Sequence, residues 1–173
     1  MPNARFRPFV IVMLTIAAIA VAIILGRLSG VGGEPEAPSS GLPAGTTEAV
    51  VDYVHDGDTL FLEDGRKVRL LGIDTPEIGD NAECYGDEAT ALLRSLLPEG
   101  ARVSVLADVQ PLDQYGRSLL FLYTDDATNV NLEMIERGAA EAVVLTPNVM
   151  FADQLERAED DAQAAKLGMW GAC

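Results

Sequence analysis

From Glu48 onward, short apolar runs are separated by turn residues. Glu48–His55 (EAVVDYVH), Thr59–Leu62, Lys67–Ile73, Arg102–Ala107 and Ser118–Tyr123 (SLLFLY) have strand length and strand composition. Asp56-Gly57-Asp58 and Asp64-Gly65 are tight-turn signals between the first three. Three other segments carry a helical pattern. In Tyr85–Leu97, residues Ala89, Leu92, Leu93, Leu96 and Leu97 share one side, and Pro98 with Gly100 closes the segment. Asn131–Arg137 ends at Gly138, and Phe151–Lys166 ends at Gly168. Five short strands with a helix between the third and fourth predict an α+β fold. The expected architecture is a five-stranded Greek-key barrel of the OB type, capped by about three helices.

The pattern before Glu48 is different. Phe9 to Gly26 (FVIVMLTIAAIAVAIILG) contains no charge, close to the ~20 residues that cross a bilayer. Residues 1–27 are expected to be a transmembrane signal anchor, or a signal peptide that is removed. Arg5 and Arg7 precede the run and Glu34 and Glu36 follow it, which orients the N-terminus to the cytoplasm. Either way the remainder is exported, to the outer face of the cell membrane or into the medium. Residues 28–47 are rich in Gly, Pro and Ser and read as a flexible linker. Residues 48–173 form the folded domain, expected to act as a monomer.

Composition narrows the chemistry. The chain has 173 residues, 12 Lys plus Arg, 27 Asp plus Glu and a net charge of −15. No basic cluster forms a general nucleic-acid-binding face, and the charge reads first as surface solubility. His55 is the one histidine, so two-histidine metal sites are excluded, and it reads as a strand-end residue. Two cysteines with one histidine do not make a four-ligand zinc site. Any metal here must be held by oxygen.

The polar residues at strand ends then stand out. In Arg66–Glu77 (RKVRLLGIDTPE), Val68, Leu70 and Gly72 alternate with Arg69, Leu71 and Ile73, so one face enters a core and the other presents Arg69. Pro76 forces a turn that leaves Asp74 and Glu77 close together. Asp56-Gly57-Asp58-Thr59 and Asp113-Gln114-Tyr115-Gly116-Arg117 are two further polar segments. Each alone is an ordinary turn or loop. Together, Asp58, Asp74 and the Thr75 carbonyl offer oxygens to one divalent cation, which suits calcium. Glu77 is a candidate general base. Arg69 and Arg117 can fork onto phosphate oxygens. Metal, base and two guanidiniums are what phosphodiester hydrolysis requires.

The motifs DGDT, RLLGIDTPE, YGxEA (Tyr85, Gly86, Glu88, Ala89) and DQYGR, in this order, resemble the staphylococcal nuclease (thermonuclease) family over about Ala49 to Gly171. The resemblance implies an OB-type barrel and a calcium-dependent endonuclease cutting DNA and RNA to leave 3′-phosphates. It implies Asp58, Asp74 and Thr75 as calcium ligands, Glu77 as the residue that activates water, and Arg69 and Arg117 as the phosphate-binding catalytic arginines. Tyr115 remains as a substrate-binding residue. The aromatic residues that family members place after the second helix are replaced by Val143 and Leu145, and Gln114 stands for the lysine before the tyrosine. These departures reduce base stacking, and because the acidic surface also repels the substrate at long range, substrate binding is expected to be weak at low salt. Cys84 and Cys173, the only thiols, are expected to form a disulfide in an exported domain. The rival readings are a non-catalytic OB-fold module that binds nucleic acid, and a structural calcium-binding surface domain. Neither gives work to the full set of Glu77, Arg69 and Arg117.

Overall fold

A computed structural model describes residues 41–173 of the chain. The expected signal segment, and the linker up to residue 40, lie outside the described residues. Among the described residues no helix is long and apolar enough to cross a membrane.

Five strands close into a barrel in the order β1-β2-β3-β6-β5. They are β1 (Thr47–Val54), β2 (Thr59–Leu62), β3 (Lys67–Leu70), β5 (Arg102–Leu106) and β6 (Ser118–Tyr123). The β3–β6 pair is parallel and the others are antiparallel. Its inside is filled from every strand, with Val51, Leu60, Val68, Leu70, Val103 and Leu122 at 0–2% exposure. Burial of these side chains at about 25 cal/mol per Å2 is the main driving force. Packing starts before the first strand, where Leu42 is half-buried against the core.

Three helices cover the barrel: α1 (Gly86–Leu96), α2 (Val130–Glu136) and α3 (Ala152–Ala165). A single turn, α4 (Met169–Ala172), ends the chain. In α1 the predicted stripe is the buried one, with Ala89, Leu93 and Leu97 enclosed and Leu92 and Leu96 half-buried. Asn129 caps α2 by accepting from the Leu132 N–H at 3.2 Å.

The third strand departs from expectation. Lys67–Ile73 does not run straight: β3 stops at Leu70, and Gly72 turns the chain at φ +81°. Ile73–Asp74 then forms β4, which pairs with β7 (Glu141–Ala142) in a separate two-stranded sheet. A Cβ at Gly72 would lie 2.5 Å from Leu155 Cδ1, so α3 packs directly on the turn. Asn131 fixes the same point. Fully buried on α2, it donates to the carbonyls of Leu71 (2.8 Å) and Leu120 (3.2 Å) and accepts from the Leu122 N–H. The break delivers Asp74 to the barrel rim.

Candidate active site

Three loops meet at that rim. In the β1–β2 turn, Asp56 Oδ1 accepts the N–H groups of Asp58 (3.1 Å) and Thr59 (2.7 Å), which shapes the turn. Gly57 has no side chain because Thr75 occupies the space: a Cβ there would lie 2.6 Å from Thr75 Oγ1. The DGDT and DTPE segments are thus packed against each other.

Asp58 is buried, with a side chain only 11% exposed. Its Oδ2 accepts the Thr75 N–H and the Thr75 hydroxyl, each at 3.1 Å, and lies 3.1 Å from Arg69 Nη2. Oδ1 accepts from Thr59 Oγ1. Burial raises its pKa to about 6, although Arg69 and these hydrogen bonds pull it down. The negative charge is under-compensated where it sits.

Arg69 is gripped on both sides. Nη1 donates to the carbonyls of Leu70 (3.0 Å) and Ile73 (2.7 Å). Nη2 bridges Asp58 Oδ2 and Asp74 Oδ1, the latter at 2.5 Å. Two carboxylate oxygens sharing one nitrogen lie within two hydrogen-bond lengths of each other. The Gly72 turn and the Gly57 contact bring Asp58 and Asp74, sixteen residues apart in sequence, onto this one nitrogen.

Arg117 stands one residue before Ser118, which pairs with Val68, so it enters beside β3. Asp113 holds it: Oδ2 accepts from Nε at 2.6 Å, and Oδ1 accepts the N–H groups of Tyr115 and Arg117. Burial pushes the Asp113 carboxyl up, but the Arg117 bonds outweigh this and leave its pKa below the ordinary value. Tyr115 is exposed, with its ring centre 5.6 Å from the Arg117 guanidinium carbon. Arg69, Asp74, Tyr115 and Arg117 line one open cleft of about 720 Å3, whose other wall includes Val143 and Leu145. The aliphatic wall noted in the sequence therefore faces the cleft itself.

Glu77 is placed differently. It is exposed, and its side chain is not among the groups lining that cleft. Its backbone is held by Glu83, which accepts the Glu77 N–H at 3.0 Å and returns its own N–H to the Glu77 carbonyl at 2.9 Å. The Glu77 carbonyl also presses on Gly86, where a Cβ would lie 2.3 Å away. Next to Glu83, Cys84 forms a disulfide with Cys173, with Cα atoms 6.0 Å apart and a sequence separation of 89. The disulfide fixes the C-terminus against the Glu77 loop. His55 is exposed, with Nε2 3.9 Å from Asp56 Oδ2.

Sequence reasoning missed the supporting residues. It gave Asp56 and Asp113 no role beyond membership of their polar segments and gave Glu83 none. Asn148 bonds the Gln110 backbone twice, at 2.7 and 3.0 Å, and joins the two loops that flank the cleft. The one usable signal was Asp113 at i, i+4 from Arg117.

An oxygen-only donor set fits a hard divalent cation. Asp58 and Asp74 converge, Asp58 carries charge that Arg69 does not fully offset, and Thr75, whose N–H and hydroxyl both bond Asp58, follows Asp74 directly in the chain. Among the described residues, no group of three or more His, Cys, Asp or Glu side chains is arranged to hold a metal. A cation here would rest on two carboxylates, with carbonyl, water and phosphate oxygens completing the shell.

Comparison with known proteins agrees with this geometry. Residues 67–172 match the family described as "Staphylococcal nuclease homologue". The chain is 30% identical over 158 residues to a thermonuclease of Staphylococcus intermedius, covering 88% of this chain and 93% of that protein. It is 31% identical over 123 residues to a thermonuclease of Staphylococcus hyicus, covering 68% and 72%. It is 30% identical over 151 residues to Endonuclease YhcR of Bacillus subtilis (strain 168), covering 79% of this chain but 12% of that longer protein. Barrel, rim and sequence lead to one assignment: the chain belongs to the staphylococcal nuclease family.

Proposed function

We propose that this chain is an exported, calcium-dependent nuclease that hydrolyses phosphodiester bonds of DNA and RNA and leaves 3′-phosphates. It is a phosphodiesterase of the hydrolase class, as its family membership and its nuclease relatives support. The observation that carries the reading is the single nitrogen of Arg69 shared by Asp58 and Asp74, with Arg117 lining the same cleft.

Asp58 and Asp74 would hold calcium, with the Thr75 carbonyl beside them. When bound there, calcium would supply Lewis-acid positive charge to the phosphodiester chemistry. Arg69 and Arg117 bind the remaining phosphate oxygens and stabilise charge that grows in the transition state. Glu77 accepts a proton from water as the water oxygen bonds to phosphorus. The bond from phosphorus to the 5′ oxygen breaks, that oxygen takes a proton from solvent water to leave as a hydroxyl, and Glu77 returns its proton to solvent. Glu77 is exposed before substrate arrives, and catalytic contacts of this kind tighten in the substrate complex.

Export is supported by the charge-free run at Phe9–Gly26 and by the disulfide, a bond that persists in oxidising compartments. The domain is proposed to work outside the cell membrane, tethered by residues 1–27 or released when they are cleaved. Its net charge of −15 opposes a polyanion at long range. KM is accordingly expected to fall as salt is first added and to rise only later.

The test is digestion of single-stranded DNA and of RNA by the full chain, with calcium or with chelator, beside Glu77→Gln. Hydrolysis that needs calcium, yields 3′-phosphate ends and collapses in Glu77→Gln supports the proposal. Hydrolysis that persists in chelator, or ends carrying 5′-phosphates, contradicts it.

A further inference from the structure

The outer face of the barrel beside the cleft carries an unusual row of side chains. Tyr53 on β1 pairs with Phe61 on β2, and Phe61 pairs with Lys67 on β3, so all three lie in one line across the strands. The two rings are stacked, with centroids 4.6 Å apart and planes 13° from parallel. Lys67 Nζ sits 5.5 Å from the Phe61 centroid. Phe61 is thus enclosed between the other two, and Tyr53, 39% exposed, closes the stack toward solvent.

The adjacent register pair on the same face is Thr59 with Arg69. Lys67 is therefore two residues from Arg69 along β3, about 6.6 Å at the usual strand rise. Arg117 enters next to β3 from the other side. In a chain with 12 basic residues against 27 acidic ones, Lys67, Arg69 and Arg117 form a short row of basic side chains that ends at an aromatic stack; Arg69 is paired with Asp58 and Asp74 and Arg117 with Asp113. A cross-strand aromatic pair alone stabilises a sheet by about 0.5–1.5 kcal/mol and needs no lysine or neighbouring guanidinium. Sequence-tolerant binding of single strands combines these two elements: cations that follow the backbone and aromatic faces on which bases stack.

We propose that Tyr53, Phe61 and Lys67 form a second nucleotide subsite, which takes the single-stranded substrate beyond the phosphate held at Arg69 and Arg117. The strand crosses β3, β2 and β1 in turn. Lys67 receives a neighbouring phosphate, and a base stacks on the exposed face of Tyr53. Phe61 is a positioning residue that keeps the Tyr53 ring flat. The subsite compensates for the aliphatic wall at Val143 and Leu145 across the cleft. The inference rests on the nuclease reading, and its test separates the two.

The test measures affinity of the full chain for labelled single strands in chelator, comparing a dinucleotide with a strand of roughly twelve nucleotides, within the usual span of a barrel of this type. Tyr53→Ala should weaken the long strand at least about fivefold, the lower end of one stacked base, and leave the dinucleotide unchanged. Tyr53→Trp should restore long-strand affinity. Lys67→Gln should reduce the salt dependence of long-strand binding by about 0.7 in log–log slope. Equal long-strand affinity for wild type and Tyr53→Ala overturns the subsite, as does an equal loss for both lengths. Wild-type hydrolysis assayed in parallel isolates the nuclease reading: a chain that binds long strands through Tyr53 but cuts nothing keeps the subsite and loses the enzyme.

Discussion

Asp58 and Glu77 are two carboxylates of the same rim held in opposite ways. Asp58 is buried, accepts from Thr59 and Thr75, and shares Arg69 with Asp74. Glu77 is exposed; its backbone is tightly held by Glu83, but among the described residues its carboxylate has no hydrogen-bond or ion-pair partner. On the function proposed above, the contrast separates two tasks. A ligand for a cation must be positioned before the cation comes, and the fold meets the cost of burying its charge. A general base must remain free to change protonation, so only the loop beneath it is fixed.

The contrast can be broken at its open end first. Glu77→Gln should lower kcat by about 10²–10⁴ and leave thermal stability within about 0.5 kcal/mol, the usual effect of an exposed substitution. Calorimetry and single-turnover kinetics on one preparation check both halves. A large stability loss would place Glu77 in the braced set.

At the braced end, Arg69→Gln removes the partner of a buried carboxylate. It should destabilise the calcium-free protein by about 3 kcal/mol or more, seen in denaturant titration. The same change should tighten calcium binding, because a competing positive charge is gone. Unchanged stability and unchanged calcium affinity would mean that the bridge carries little.

Asp58 also sets a pH dependence. Its folded pKa, about 6, lies above its ordinary 3.8. Between these values the folded state binds more protons than the unfolded state, so this group favours folding at low pH. That stability is lost as pH rises through about 6. The calcium-free protein should lose up to about 3 kcal/mol from this group between pH 4 and pH 7. Asp64 and Asp113, whose pKa values are lowered by their arginine partners after burial is allowed for, lose stabilising interactions only in stronger acid. Saturating calcium should flatten the slope near pH 6. A smaller effect is expected from Gly57→Ala, whose new methyl group must displace Thr75. It should cost about 1–3 kcal/mol, with weaker calcium binding as a second readout.

Much of this was legible in sequence because it is local. The strands Thr59–Leu62 and Ser118–Tyr123 stand at their predicted bounds, and the stripe on α1 is buried as its spacing required. Asp58 and Asp74 meet at Arg69. The strand break at Leu71-Gly72 is hidden because Leu71 and Ile73 are both buried, Ile73 in the small sheet, which imitates a continuous strand. β7 is two residues long and owes its existence to pairing with β4. Arg69 as the bridge between two acids was equally hidden, since no local pattern reports which partner a guanidinium chooses. Glu77 lies close to Asp74 in sequence, yet it is exposed and is not among the residues lining the cleft.

Calcium titration by calorimetry, on wild type and on Asp74→Asn, tests the centre most directly. The account predicts one calcium per chain, binding at least about tenfold weaker in the variant, and hydrolysis that half-saturates at the same calcium concentration as binding. No calcium binding by the wild type, or hydrolysis that ignores calcium, would contradict it.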